Sequence, residues 1–221
     1  ILVGNVPGIA QTCRDLGWTK PALTISNFTP LTIPVPVPRA AHDTPDGAFL
    51  FAAGGRFQPR KALDTAIRAL ARIPGAYLWL IGDGRLRPEL EALANELKVT
   101  DRLRFVGWVD DPIHHIAAAD AFLLPSRHEP LGNILLEAWA AGVPSVSTRC
   151  EGPSWFMRDG IDGLMTPIDD DEAIANALMQ LRDSPQKAAV YAANARSRLE
   201  EMFSEEAICR DYMKVFAGEE L

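Results

Sequence analysis

From Phe49 onward the chain alternates short apolar runs with segments whose apolar residues recur every three to four positions. A short apolar run bounded by turn residues is typical of a buried strand, and the 3.6-residue period is typical of an amphipathic helix. Strands that alternate with helices pair in parallel, because each crossover helix returns the chain to the same edge of the sheet. The pattern therefore predicts an α/β fold with a Rossmann-like parallel sheet and helices on both faces. The predicted strands are residues 49–53, 77–81, 103–106, 121–124 and 145–147.

The helical segments between these strands carry their own start signals. Asp169 followed by Glu172 has the spacing of a capping box and predicts a helix from about Asp170. The run of three aspartates at 169–171 also imitates the metal-binding Asp-x-Asp pattern. Its position directly before a helix favours capping over metal binding.

The first 47 residues do not follow the alternating pattern. Residues 19–47 contain six prolines, each of which removes a backbone donor and disfavours helix at the preceding residue, so this stretch is predicted to be an extended interdomain linker. Residues 1–18 contain the end of a strand and one helix over residues 9–16, with no partner strand of their own. We expect them to be the last strand–helix unit of another domain. The remainder divides into a main domain, 48–203, and a C-terminal helix segment, 204–221.

Composition excludes several classes of partner. The net charge of −7 and the pI near 5.1 argue against nucleic acid as a partner, since phosphate binding requires clustered lysine and arginine. The three cysteines are widely spaced and lack a CxxC pattern, which indicates neither a disulfide framework nor a zinc knuckle. No apolar stretch approaches the roughly 18 residues of a transmembrane helix. We therefore expect a cytoplasmic protein with no transmembrane segment.

The segment from Pro125 to Pro144 is the most informative one for function, because it follows an apolar strand and opens a helix. In parallel sheets ligands bind beyond the carboxyl ends of the strands. The backbone N–H groups of Leu131, Gly132 and Asn133 would point there and form an anion site at a helix start predicted near Leu131. Gly132 would let a phosphate approach the backbone closely.

Two carboxylates, Glu129 and Glu137, flank this predicted helix start. One interpretation makes Glu129 a helix-start acid and Glu137 an exposed helical residue. Against it, Glu137 lies in a helix that is apolar on most sides. The Glu-x7-Glu spacing in this context resembles the signature of the retaining GT-B glycosyltransferases of family 4, with similarity over about residues 49–217. The resemblance implies that Glu129 contacts the donor sugar as a catalytic residue and that Glu137 holds the ribose diol.

Other segments resemble the same family in the same order. In Gly54-Gly55-Arg56-Phe57-Gln58-Pro59-Arg60-Lys61 the resemblance implies that Arg56 and Lys61 act as catalytic cations on the donor diphosphate, with Gly55 beside them. Two cations there would stabilise the charge that the leaving diphosphate gains. In Phe105-Val106-Gly107-Trp108 the backbone of Val106 and Gly107 would lie beside the nucleobase. The family usually has glycine where Ala62 stands here, and commonly has glutamate near the positions of Trp155 and Phe156.

The resemblance implies sugar transfer from a UDP-, GDP- or ADP-linked donor to a glycan or lipid-linked acceptor, in lipopolysaccharide or other cell-surface polysaccharide synthesis. Residues 1–18 would then be a remnant of the N-terminal acceptor domain, to which the 204–221 helix crosses back. Peripheral attachment to the inner membrane would come through that domain. No metal and no other cofactor is expected, since the histidines lack metal-ligand spacing. Two alternatives remain open: a GT-B sugar-nucleotide epimerase and a noncatalytic nucleotide-binding module.

Overall fold

The computed structural model describes residues 1–218, and residues 219–221, the end of the predicted 204–221 segment, lie outside the described part. The described residues form a two-stranded and a six-stranded sheet, both parallel. The strands are β1 (Leu2–Gly4), β2 (Ala22–Thr24), β3 (Leu50–Gly54), β4 (Tyr77–Ile81), β5 (Leu103–Gly107), β6 (Ala121–Leu124), β7 (Ser145–Thr148) and β8 (Leu164–Thr166). The helices are α1 (Pro7–Asp15), α2 (Leu63–Arg72), α3 (Arg87–Glu96), α4 (Ile113–Ile116), α5 (Asn133–Ala140), α6 (Glu151–Phe156), α7 (Asp171–Asp183), α8 (Pro185–Phe203) and α9 (Glu205–Ala217).

The order of strands in the large sheet determines where a ligand can bind. The order is β5-β4-β3-β6-β7-β8, so the chain moves outward from β3 to β5 and then returns to the other side of β3 with β6. The loops that follow β3 and β6 therefore diverge over neighbouring strand ends. Such a switch point leaves a crevice at the carboxyl edge of the sheet, where ligands bind in open parallel sheets.

Both faces of the sheet are buried, as the near-continuous apolar runs predict. On β3, Phe51 and Ala53 pack into the core on one face, while Leu50 and Ala52 pack into the core on the other. Residues of α2, α3 and α7 fill the first core, and residues of α5 and α8 fill the second. The sheet with helices on both faces is therefore confirmed. All five predicted strands occur, whereas β8, which has only three residues, was not predicted.

The N-terminal part differs from its prediction. The expectation that it has no partner strand is wrong, because β1 pairs in parallel with β2, which lies inside the stretch predicted to be a linker. The second half of that stretch is fastened to the main sheet by Arg39. Its guanidinium donates to the carbonyls of Ala48 and Ala118 and pairs with Asp120 at 2.8 Å. Prolines limit helix, but they do not prevent short strands or side-chain anchoring.

Two helix starts also bear on the predictions. The side chain of Asp170, rather than that of Asp169, caps α7 by accepting a hydrogen bond from the Ala173 N–H at 2.8 Å. The cap prediction was therefore wrong by one residue. The Ser204 hydroxyl caps α9 by accepting from the Ala207 N–H at 3.2 Å. Among the described residues no helix is long and apolar enough to cross a membrane.

Candidate donor-binding site

A pocket of about 410 Å³ lies at the switch point of the sheet. The loops after β3, β5 and β6 and the first turns of α5 enclose it. Its walls include most of the residues that the sequence predicted for the site, namely Gly55, Arg56, Lys61, Glu129, Asn133 and Glu137. Residues that were not predicted for it also line it, namely Arg60, Ile81, Gly82, Trp108, Val109, Asp110, Pro112 and Ile134.

The turn after β3 brings three cations to the wall of the pocket, Arg56, Arg60 and Lys61, which we call the cationic end. Gly55 determines how Lys61 reaches it. Gly55 has a φ of 128°, and a Cβ atom added there would lie 3.1 Å from Cε of Lys61. Only glycine adopts this conformation without strain and leaves room for the lysine stem to cross the backbone. Local backbone geometry thus turns Lys61 into the pocket.

Lys61 forms an ion pair with Glu129, although the two residues lie 68 positions apart in the sequence. Both side chains are only 13% exposed. The hydroxyl of Ser126 also donates to Glu129, at 3.4 Å. The ion pair joins the turn after β3 to the loop after β6, so two of the predicted catalytic residues are in direct contact.

The start of α5 lies later than predicted. The helix begins at Asn133, not near Leu131, because its N-cap residue Gly132 has a left-handed φ of 96° that breaks the helical path. Asn133 lines the pocket, and the first N–H groups of a helix have no intrahelical acceptor. Leu131 is buried, and neither Leu131 nor Gly132 lines the pocket within the described chain. The anion site predicted at 131–133 is therefore limited to the first helical turn.

Glu137 occupies the second turn of α5 and faces the pocket. Its Oε2 atom is buried and has no hydrogen-bond partner within residues 1–218. Burial, together with the nearby charge of Asp111, raises the pKa of Glu137 to about 7. The interpretation of Glu137 as an exposed helical residue is therefore wrong. A buried carboxylate without a donor is costly unless a ligand supplies one.

The segment after β5 contributes other residues than expected. Val106 and Gly107 do not line the pocket in the described chain, whereas the next residues, Trp108, Val109 and Asp110, do. Trp108 is 69% exposed. We call Asp110 and Glu137 together the acidic end of the pocket. Exposed loop residues carry little periodic signal, but their position directly after a predicted strand could have identified them.

The loop that contains Glu129 is supported from behind by Gly152. The Gly152 N–H donates to the carbonyl of Glu129 at 2.9 Å, and a Cβ atom at Gly152 would lie 2.4 Å from the carbonyl oxygen of Leu131. Trp155 stands close to the position where the family commonly has glutamate. It packs edge-on against Phe156 and Phe203. This position therefore contributes an aromatic cluster.

The described residues also bear on whether the site could hold a metal ion. No group of three or more His, Cys, Asp or Glu side chains suited to a metal occurs within the described residues. Asp169 pairs with Arg127, Asp170 caps α7 and Asp171 pairs with Arg72, so all three aspartates at 169–171 have structural partners. The pocket thus combines cationic side chains with carboxylates, which can bind anionic groups and hydroxyl donors respectively.

Comparisons with known proteins agree with this geometry. The family model described as Glycosyl transferases group 1 matches residues 48–184. The lipopolysaccharide core biosynthesis glycosyltransferase LpsE of Rhizobium meliloti (strain 1021) is 48% identical over 98% of this chain and 64% of its own length. LpsD of the same organism, which has the same description, is 42% identical over 97% of this chain and 63% of its own length.

A solved structure shows the same fold at lower sequence identity. Anabaena Alr3699/HepE, solved in complex with UDP and glucose, has a TM-score of 0.90 and 22% identity, covering 99% of this chain and 63% of its own. The chain thus spans less than two thirds of the length of these relatives. The family match extends over more than half of the chain and contains Arg56, Lys61, Glu129 and Glu137. The chain belongs to the family of glycosyl transferases group 1.

Proposed function

We propose that this chain is the donor-binding part of a retaining glycosyltransferase, which moves a sugar from a nucleoside diphosphate sugar to a glycan or lipid-linked acceptor. The observation that carries the proposal is the pocket at the switch point, which is lined both by the cationic end and by Glu137, whose buried Oε2 atom has no hydrogen-bond partner in the described part of the chain. A nucleotide sugar has the complementary groups, since its diphosphate is anionic and its ribose has two hydroxyl donors.

The charge distribution orients the donor in the pocket. The diphosphate would lie against Arg56 and Lys61 and near the first turn of α5, because cations and free N–H groups both favour it. The ribose would lie against Glu137, where its hydroxyls donate to the orphan Oε2 atom. The base would then face the residues after β5, including Trp108. An aromatic side chain of this exposure offers a face for stacking.

The sugar end of the donor would lie next to Glu129. When the bond between the anomeric carbon and the diphosphate oxygen breaks, negative charge grows on the departing diphosphate. Lys61 and Arg56 would stabilise that charge, which lowers the barrier more than it stabilises the bound donor. Glu129, already oriented by Lys61, would accept hydrogen bonds from the sugar hydroxyls. Retention at the anomeric carbon follows from the family resemblance.

The names of the relatives support the proposed process, and exposed residues of α9 support the proposed domain arrangement. LpsE and LpsD act in lipopolysaccharide core biosynthesis by their names, which supports a role in cell-surface polysaccharide synthesis. We retain the proposals that residues 1–18 belong to an acceptor domain, and that α9 packs back against that domain. Exposed Met213 and Phe216 on α9 support the second, since apolar surface of this kind favours a contact. Pull-down of the chain by a separately expressed acceptor domain, abolished by Phe216→Asp, would test it.

We further propose that donor binding needs no metal and takes place in the cytoplasm. The first proposal rests on Arg56, Arg60 and Lys61, which supply positive charge at the place where a metal would otherwise balance the diphosphate. The second rests on the free thiols of Cys13, Cys150 and Cys209, which suit a reducing compartment. Cell fractionation checks the location, and recovery of the protein from the periplasm would contradict it.

A thermal-shift panel with UDP-, GDP- and ADP-glucose tests donor binding directly. A ligand that binds only the folded state raises apparent stability, by about 2.7 kcal/mol at a concentration a hundred times its Kd. We expect one of the three nucleotide sugars to raise the melting temperature clearly. This increase should persist in EDTA and should not grow when Mn²⁺ is added. No shift with any of the three would contradict donor binding, and a shift abolished by EDTA would contradict metal independence. An epimerase would convert the bound sugar nucleotide without any acceptor, which product analysis detects.

A further inference from the structure

Arg127 lies between β6 and Glu129, yet its side chain does not line the donor pocket in the described part of the chain. The guanidinium contacts α2 and the loop before α7 instead. Two of its nitrogens bind the two carboxylate oxygens of Asp64, at 3.1 and 2.8 Å. Paired contacts of this kind fix both the position and the plane of an arginine side chain.

The remaining nitrogen of the guanidinium, Nε, faces the loop that precedes α7. Nε of Arg127 forms an ion pair with Asp169 at 2.7 Å. Asp169 has a left-handed φ of 60° and also accepts a hydrogen bond from the Thr65 hydroxyl at 3.3 Å. Both carboxylates contribute to raising the pKa of Arg127. One side chain therefore joins the loop after β6 to α2 and to the start of α7.

Arg127 also fastens the turn that contains Lys61. Its Nη1 donates to the carbonyl of Pro59 at 2.6 Å, and its backbone N–H donates to the carbonyl of Arg60 at 2.8 Å. The N–H of His128 contacts the same Arg60 carbonyl at 3.4 Å. These bonds lie immediately beside Lys61 on one segment and beside Glu129 on the other. The Lys61–Glu129 ion pair is thus the inner contact of two segments that Arg127 holds together from outside.

We propose that Arg127 is a positioning residue for the donor diphosphate, which sets the place of Lys61 by holding the 59–61 turn against the loop that contains Glu129. The proposal rests on the proposed function, since it assumes that Lys61 binds the diphosphate. Arginine is required because its planar fork reaches Asp64, Asp169 and the Pro59 carbonyl at once. Lysine has a single charged centre and cannot reproduce that geometry.

A double-mutant cycle tests whether Arg127 acts through Lys61. Calorimetry would measure the affinity of the chain for UDP, GDP and ADP, and the cycle would use the one that binds most tightly. We expect Arg127→Met to weaken this affinity about tenfold, and Arg127→Lys about threefold, which corresponds to coupling of the size found for residues in one network. In the Lys61→Met background the same Arg127→Met change should weaken binding less than about twofold.

Arg72→Met is the matched control. Arg72 also joins α2 to the start of α7, through Asp171 and Glu172, but it lies at the far end of α2 from Lys61. We expect this variant to lower the melting temperature and to leave the affinity unchanged. If Arg127→Met does not fold, Arg127→Lys and Asp169→Asn provide the cycle instead.

The outcomes separate the two proposals. Parent-like affinity in the folded Arg127 variants, or an equal loss with and without Lys61, would overturn the positioning role and leave the proposed function standing. If Lys61→Met itself leaves the affinity unchanged, or if the parent chain binds none of the three nucleotides, the donor-site assignment fails and the positioning role fails with it.

Discussion

The two ends of the donor pocket differ in how their charges are satisfied before a ligand arrives. At the cationic end, Lys61 and Glu129 neutralise each other, and Ser126 adds a hydrogen bond. At the acidic end, Oε2 of Glu137 is buried and has no partner within residues 1–218, and Asp111 adds like charge nearby. Lys61 therefore has a counter-ion before a ligand binds, whereas Glu137 keeps an unmet hydrogen-bonding capacity.

The difference indicates where binding free energy comes from. At the cationic end a diphosphate must compete with Glu129 for Lys61, so the net gain from that contact is reduced. At the acidic end a ribose diol gives Oε2 of Glu137 a donor that residues 1–218 do not provide, so the ligand recovers part of the free energy lost by burying this atom. Sites that bind ligands commonly reduce the stability of the free protein in this way.

The largest expected effect is on stability, from Glu137→Gln. A carboxyl group whose folded pKa is raised stabilises the fold below its unfolded pKa, and this contribution is lost as the pH rises through the folded pKa. For a pKa raised from 4.5 to about 7, the loss across that window amounts to at most about 3 kcal/mol. Urea unfolding should therefore show that, between pH 4.5 and pH 8, the free energy of unfolding of Glu137→Gln rises relative to that of the parent chain by up to this amount.

The exposed Glu96 on the last turn of α3 provides the control, since Glu96→Gln should follow the parent chain at both pH values. If the stabilities of Glu137→Gln and Glu96→Gln showed the same pH dependence relative to the parent, burial of Glu137 would not destabilise the free protein. The proposed difference between the two ends would then be wrong.

The next largest effect is on nucleotide affinity. Glu137→Ala should remove charge-assisted hydrogen bonds to the ribose worth about 1.5 to 3 kcal/mol, or roughly 10- to 150-fold in Kd. The loss should appear with the free nucleoside diphosphate as well as with the nucleotide sugar, because both have the ribose. Calorimetry with both ligands measures it, and a folded Glu137→Ala protein that bound the diphosphate like the parent would refute the ribose contact.

A smaller and opposite effect is expected at the cationic end. Glu129→Gln should weaken binding of the nucleotide sugar about tenfold, because the negative charge that strengthens the hydrogen bonds from the sugar hydroxyls is lost. Binding of the bare nucleoside diphosphate should be unchanged or tighter, since Lys61 no longer has a competing anion. The ratio of the two affinities is the measurement. Equal weakening of both ligands would mean that Glu129 acts on the diphosphate region rather than on the sugar.

The sequence predicts those parts of the molecule that repeat a pattern. The five longest strands of the large sheet follow from their apolar runs, and the placement of Glu129 and Glu137 in one site was predicted from the family that their motif resembles. The strands β2 and β8, which were not predicted, have three residues each and are too short to show alternation. The late start of α5 depends on the backbone conformation of Gly132, which the sequence does not reveal.

Contacts between residues far apart in the sequence could not be predicted either. The Lys61–Glu129 pair and the contacts of Arg127 with Asp64 and Asp169 join segments that are 42 to 68 positions apart. They depend on β3 and β6 being neighbours in the sheet, which follows from the crossover and not from local propensity. Within residues 1–218 the Oε2 atom of Glu137 has no partner, and this is likewise a property of the packed pocket rather than of the local sequence.

Proton release on donor binding tests the ribose contact of Glu137 most directly. Hydroxyl groups donate to an ionised carboxylate, so binding should deprotonate Glu137, which at a pKa of about 7 is about three-quarters protonated at pH 6.5. Calorimetry with the nucleotide sugar in two buffers of different ionisation enthalpy counts the protons released, and the sugar diphosphate itself does not titrate near this pH. We predict release of about 0.75 proton per site from the parent chain and none from Glu137→Gln. Binding without proton release in the parent, or equal release in both proteins, would contradict the assignment of Glu137 as the acceptor for the donor ribose.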